Sequence, residues 1–335
     1  MDHALVVGGT RFIGRHLVEE LLDHDYRVTL FNRGNHENPF ADRDGVDHVP
    51  GDRTDDADLA RAAGVEPDVV FDCVAYFPRD VRAATSDFAD VDAYVYISSG
   101  SAYEAEDIPK REATTPIHPC SEAEATTDAP ETYGPRKAEG DRAVVEAAES
   151  GVRAMSVRPP IVYGPHDYTE RLDYWIDRVH RFDRIVVPGD GTNIWHRVYV
   201  EDVASGMRTV AEDGAAGEAY NVGDRQLVTM RGMIELIDES LAAVDPDHEA
   251  GVEIVTAGPR ELAAADLSMD DFVLYRNPPH VLSTEKIADL GWESTPLSTA
   301  MERTVANHLE SDRTGRDNGP DREAERRVLG VLDTI

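Results

Sequence analysis

The stretch from Ala4 to Gly14, A-L-V-V-G-G-T-R-F-I-G, narrows the choice of fold more than any other part of the chain. Ala4, Leu5, Val6 and Val7 form a short apolar run of the kind that makes a buried strand. Gly8, Gly9 and Gly14 then bracket a turn, and Leu17, Val18, Leu21 and Leu22 follow with helical spacing. Strand, tight glycine turn and helix in that order let the backbone come close to a pyrophosphate, whose charge meets the N–H groups of the helix start. The glycine triplet alone also suits a purely structural turn, so the rest of the chain has to decide.

Strand and helix patterns alternate through the first half. Tyr26 to Phe31 predicts a second strand, Asp47 to Val49 a third, and Asp68 to Tyr76 and Ala93 to Ser99 two more. The last two are nearly continuous apolar runs, as expected where a parallel sheet is covered on both faces. Tyr133 to Glu149 predicts a helix, with Pro135 tolerated in its first turn, and Val152 to Val157 another strand. The alternation implies an α/β fold with a Rossmann-type doubly wound parallel sheet. Residues 1–165 form the dinucleotide-binding domain on this reading, with 198–225 returning to it. Residues 166–197 and 226–309 make a smaller substrate lobe, with helices at Glu170 to Phe182, Met230 to Leu241 and Leu297 to Leu309, and 310–335 is a charged C-terminal extension. Pro109 to Pro130 reads as a polar loop without periodicity.

The second strand runs into Asn32-Arg33-Gly34. In a dinucleotide fold an acid here binds the ribose 2′-hydroxyl, whereas an Arg accepts a 2′-phosphate. The acid is missing and Arg33 follows, which favours NADP over NAD, although Arg33 would also suit an ordinary surface turn. Gly51-Asp52-Arg53 after the third strand is a turn that could lie beside the adenine.

Ser99, Tyr133 and Lys137 carry the chemistry. Residues four apart on a helix share a face, so the Lys137 ammonium can stabilise a Tyr133 phenolate and make it a general base. Twelve tyrosines and three lysines in 335 residues would produce a Tyr-x-x-x-Lys pair by chance only about 0.1 times. Ser99 sits at the carboxyl end of a parallel strand, where open α/β sheets place their sites.

With these motifs in order along Met1 to Leu309, the chain resembles the extended and atypical short-chain dehydrogenase/reductases, which include the NAD-dependent epimerase/dehydratases. The stretches that carry the resemblance are Gly8 to Gly14, Gly51-Asp52-Arg53, Tyr96-Ile97-Ser98-Ser99 with Tyr103, Tyr133-x-x-x-Lys137, Arg158-Pro159 with Val162-Tyr163-Gly164-Pro165, Val198 to Asp202 and Leu290-Gly291-Trp292. It implies that Tyr133 exchanges the hydroxyl proton, Ser99 hydrogen-bonds the same substrate oxygen, and Lys137 holds the nicotinamide ribose. Cofactor contacts are implied at Gly8, Gly9, Thr10, Arg11, Phe12, Ile13, Gly14, Asn32, Arg33, Asp52, Arg53, Val74, Ala75, Tyr133, Lys137, Pro160 and Val162. Substrate contacts are implied at Ser99 and Tyr163, with Arg197 or Arg260 as anion clamps. The reaction implied is epimerisation or reduction at a secondary alcohol or ketone, most readily of a nucleotide sugar, in a protein compatible with a homodimer.

Four positions depart from the pattern. Arg11 replaces the middle glycine, and its guanidinium either meets a cofactor phosphate or faces solvent. Val74-Ala75-Tyr76 stands where many relatives have Asn-Ala-Ala, so the Asn of a proton relay is missing. Gly100 and Ser101 follow Ser99 where sugar dehydratases carry an acidic pair, which counts against dehydration. Trp195 stands seven residues before Asp202, where nucleotide-sugar enzymes place a diphosphate-gripping Arg. The resemblance also reaches atypical members recruited to bind RNA, which leaves a non-catalytic protein that binds cofactor and RNA or a regulatory partner as the alternative.

Charge bears on both readings. Asp and Glu total 66 against 33 Lys and Arg, a net charge of -33, and only Lys110, Lys137 and Lys286 are lysines. Acid spread along the whole chain predicts a protein of a high-salt cytoplasm, where the Debye length shrinks to about 3 Å and self-repulsion is screened. It disfavours nucleic acid, which needs clustered cations. No apolar run approaches the roughly 20 residues of a membrane helix, and no signal peptide is recognisable. Cys73 and Cys120 suggest no disulfide framework. The spacing of His166, Asp167 and His196 fits no metal site.

Overall fold

The computed structural model describes residues 1–334 and divides the chain into two compact units. The first comprises 1–162, 200–223 and 282–294. Its centre is a seven-stranded parallel sheet in the order Ala219–Asn221, Ala154–Arg158, Ala93–Ile97, Val69–Asp72, His3–Val7, Arg27–Asn32, Val46–Pro50. The chain reverses direction across the sheet at His3–Val7, which pairs on one side with Arg27–Asn32 and on the other with Val69–Asp72. That reversal is the switch point at which open α/β sheets bind ligands.

The inner strands are buried along their length, which is why they read as continuous apolar runs. Alternate residues Leu5, Val7, Val70, Tyr94, Tyr96 and Ala154 form one core with Leu59 and Ala62 of the helix Asp56–Ala63, Val81 and Ala84 of Pro78–Asp87, and Ala143 and Val144 of Tyr133–Glu149. Each fully buried aliphatic or aromatic side chain there contributes about 1.5–3 kcal/mol. The helix Phe12–Asp23 packs against Val200–Asp213. Asp55 caps Asp56–Ala63 by accepting from Ala57 and Asp58 N–H, and Pro78 opens Pro78–Asp87, where its missing N–H costs nothing.

The apolar run Asp68 to Tyr76 is strand only over Val69–Asp72. Asp72 ends it by turning its carboxylate back onto the N–H of Val74. Residues 109–130 are an ordered loop with two single 3₁₀ turns, Glu124–Thr126 and Pro130–Thr132, and it is pinned by bridges from Tyr103 to Ile117 and from Lys110 to Leu282.

Two domain boundaries differ from the expectation. Residues 282–294 belong to the first unit, because Trp292 donates its indole N–H to the Asp202 carbonyl and Ser205 hydroxyl, and Lys286 donates to Glu218 and the Ala219 carbonyl. Residues 310–334 are an integral part of the second unit, which comprises 163–199, 224–281 and 295–334. There the helix Arg322–Leu332 docks through the buried carboxylate of Glu325, which accepts from Arg178, Arg322 and the backbone N–H of Val186. This unit also holds a parallel pair of strands, Arg184–Pro188 and Glu253–Ala257, and the helices Asp173–Arg181, Met230–Val244 and Leu297–Leu309. Met233, Ile234, Ile237 and Leu241 are buried on one face of Met230–Val244, as their spacing predicts. Among the described residues, no helix is long and apolar enough to cross a membrane.

Candidate functional site

The glycine turn follows His3–Val7 directly. Gly8 and Gly9 have φ of 111° and 90°, and a Cβ on Gly14 would lie 2.6 Å from the backbone nitrogen of Gly9. Only glycine permits that turn to close on itself. The helix Phe12–Asp23 starts there with Arg11 in the cap position, extended and making no side-chain capping bond, and with no acid in the first turn. A helix start that follows directly on a glycine turn suits an anion. Phe12 and Gly14 are buried, Thr10 and Ile13 half-buried, and Arg11 exposed.

Asn32 shapes this turn as well as ending its strand: its amide donates to the Gly8 carbonyl at 3.0 Å and accepts from Gly34 N–H at 2.9 Å. Arg33 is exposed beyond it. Asp52 is held by the backbone N–H and hydroxyl of Thr54, which keep its carboxyl below the usual range.

Tyr133, Lys137 and Ser99 come together at the carboxyl end of the sheet. The Lys137 ammonium, 3% exposed, donates to the carbonyls of Ala75 at 2.9 Å and Ile97 at 2.7 Å. It lies 5.9 Å from the centroid of the Tyr133 ring, 4.8 Å from that of Tyr96 and 5.4 Å from that of Tyr76. Burial pulls its pKa down to about 8, opposed by the carboxylates of Asp72 and Asp141. Ser99, two residues beyond Ile97, accepts from Ser101 N–H, which leaves its own O–H to donate. A Cβ on Gly134 would lie 2.5 Å from the Ser101 carbonyl oxygen, so a glycine next to Tyr133 lets the helix start abut the turn that carries Ser99. Val74 and Pro160 are half-buried, and Ala75 and Val162 buried.

Arg53 is held by a buried carboxylate. Its guanidinium donates to both carboxylate oxygens of Asp72, at 2.5 and 2.6 Å, and to the Asp80 carbonyl. Sequence reasoning missed Asp72, together with Tyr94, whose hydroxyl donates to it at 2.8 Å, and Asp141, which accepts from Arg158 at 2.9 Å. A signal was present: an acid closing the apolar run V-V-F-D must find a partner if it is buried.

In the second unit, Tyr163 is buried with its ring centroid 5.9 Å from that of Tyr199. Arg197 is 6% exposed and donates to the Val228 carbonyl, and burial lowers its pKa. Arg260 is exposed in the short helix Pro259–Ala263. His196 donates from Nε2 to the Asp224 carbonyl, and burial takes its pKa down to about 4, so the ring is neutral. Among the described residues, no group of three or more His, Cys, Asp or Glu is placed to hold a metal ion.

A parallel sheet with a glycine turn at its switch point and a Tyr-x-x-x-Lys helix at the same end defines an α/β protein of the dinucleotide-binding class. The model of the NAD dependent epimerase/dehydratase family matches residues 4–91 and 78–223, and the chain belongs to that family. It is 27% identical over 307 residues to the chloroplast stem-loop binding protein of 41 kDa b of Arabidopsis thaliana, covering 86% of this chain and 74% of that one. It is 28% identical over 277 residues to the 2-alkyl-3-oxoalkanoate reductase of Stenotrophomonas maltophilia, covering 76% and 79%. The fold is shared with the dTDP-glucose 4,6-dehydratase of Bacillus anthracis in complex with NAD, at a TM-score of 0.70 and 19% identity over 93% of this chain and 98% of that one.

Proposed function

We propose that the chain is an NAD(P)-dependent epimerase or reductase acting on a secondary alcohol or ketone, with a nucleotide sugar as the leading substrate class. The observation that carries this reading is the buried Lys137 ammonium beside the Tyr133 ring on one helix, with the Ser99 turn packed against the start of that helix. A positive charge so close favours the phenolate over the phenol and fits Tyr133 to take or give the hydroxyl proton. Ser99 has a hydroxyl proton left for the same substrate oxygen. The glycine turn and the helix start that follows it fit the pyrophosphate of a dinucleotide, and the nicotinamide, when bound, supplies or takes the hydride. The missing acid at Asn32 and the exposed Arg33 favour NADP over NAD. Gly100 and Ser101 after Ser99 favour epimerisation or reduction over dehydration. In the second unit, the buried Arg197 is the better suited of the two candidate arginines to hold an anionic group.

Replacing Tyr133 by Phe tests the reading. The variant is expected to bind NADPH, followed by its fluorescence, as the parent does and to lose turnover by about 10²–10⁴-fold. Full turnover in the variant refutes the role of Tyr133. Mass spectrometry of the small molecule that copurifies with the protein identifies the substrate class. A second reading is RNA binding without catalysis; the name of the Arabidopsis relative describes that protein as stem-loop binding. A gel shift with stem-loop RNA at multimolar salt, set against NADPH titration, discriminates the two.

A further inference from the structure

Arg53 bridges the two ends of one short segment. One terminal nitrogen of its guanidinium holds both oxygens of Asp72, and the other donates to the carbonyl of Asp80 at 2.6 Å. Asp72 is completely buried and also accepts from Tyr94 O–H and from Val74 N–H at 3.2 Å. The Asp80 carboxylate closes the other end by accepting from the N–H groups of Tyr76 and Phe77. Between these anchors lies Ala75, whose carbonyl takes a hydrogen bond from Lys137. The segment is latched to the helix of Lys137 a second time, because Arg136 donates to the Tyr76 carbonyl and lies over the Phe77 ring.

We propose that Arg53 and Asp72 are a positioning pair for Lys137: the ion pair fixes the segment whose Ala75 carbonyl aims the ammonium at Tyr133. This rests on the reading of Tyr133 and Lys137 as the acid–base pair. The ionisable groups around Lys137 include Asp72 and Arg53, the Cys73 thiol next to Asp72, Asp141 and Arg136 on its own helix, and the phenols of Tyr76, Tyr96 and Tyr133. Asp72 is the strongest of those favouring the charged amine, and it outweighs the opposing Arg53. A buried ion pair is a weak device for stability, since well-packed apolar side chains often do as well. Here the segment that the pair anchors leads directly to the amine, through the Ala75 carbonyl.

The test uses the full chain carrying Asp72→Asn, Arg53→Lys, or Arg53→Met together with Asp72→Asn. The first readout is the pH at which Tyr133 ionises, taken as the ultraviolet tyrosinate difference between each protein and its Tyr133→Phe counterpart, which needs no substrate. Loss of Asp72 is expected to raise that pH by about one unit. Arg53→Lys, which keeps the charge and loses the second arm, is expected to fall between parent and Asp72→Asn. The second readout, once a substrate is in hand, is the alkaline limb of kcat, expected to move down by about one unit in Asp72→Asn. The double variant leaves no buried guanidinium without its carboxylate and keeps the test open if Asp72→Asn does not fold. A Tyr133 ionisation within about 0.2 units of the parent in a folded variant lacking Asp72 overturns the proposal. Absence of turnover in the parent, with the ionisation shift present, overturns the enzymatic reading and leaves the positioning pair standing.

Discussion

The ammonium of Lys137 donates to the carbonyl of Ile97 across 40 residues of sequence at 2.7 Å, which ties the helix Tyr133–Glu149 to the end of the strand that leads into Ser99. One side chain thus sets the helix against the strand and brings positive charge to Tyr133. Lys137→Met would keep the bulk and remove both the bond and the charge. Turnover is expected to fall by about 10²–10⁴-fold, with thermal melting checking that the fold persists.

The glycine turn makes a sharper prediction about the cofactor. In Gly14→Ala the added methyl would press on the backbone of Gly9, and the turn must open. A strain of about 1–3 kcal/mol corresponds to roughly 5–150-fold weaker NADPH binding, read by fluorescence titration. Unchanged affinity would remove the turn from the cofactor site.

Glu325 anchors the last helix. Its carboxylate is 1% exposed, and Glu325→Ala would leave the buried guanidinium of Arg178 without its partner. A loss of about 3–5 kcal/mol is expected in chemical denaturation. A loss below about 0.5 kcal/mol, the usual size for a surface substitution, would mean that the segment is dispensable.

His196 predicts an acid limit to stability. Its pKa is about 4 in the fold against 6.5 in the unfolded chain, so between those values the unfolded chain binds the extra proton. Stability is full above about pH 6.5 and declines as the pH falls toward 4, by on the order of 3 kcal/mol for this one group. His196→Gln should flatten that slope in urea titrations run at pH 4 and pH 7.

The charge of -33 predicts dependence on salt. All three lysines have defined partners: Lys110 is buried against Glu106 at 2.8 Å, Lys286 reaches Glu218, and Lys137 is placed as described. None is left to offset the acidic surface. Lowering salt from 1 M to 0.01 M lengthens the Debye length from about 3 to about 30 Å, and loss of helical circular dichroism is expected. An unchanged spectrum would rule out adaptation to concentrated salt.

What the chain could declare by itself were features written in neighbouring residues. A glycine turn after four apolar residues, continuous apolar runs and a Tyr-x-x-x-Lys spacing depend only on strand, turn and helix periodicity, so the parallel sheet and the helix Tyr133–Glu149 could be read directly. That Arg53 meets a carboxylate was decided by the sheet, which brings Asp72 from 19 residues away to its guanidinium. The sheet likewise set Asp141 beside Arg158. The same holds for the return of 282–294 to the first unit and the docking of Arg322–Leu332 on Val186 and Arg178. Those partners are distant in sequence, and a buried charge selects its counterion only after the strands and helices have fixed which groups share the same water-free space.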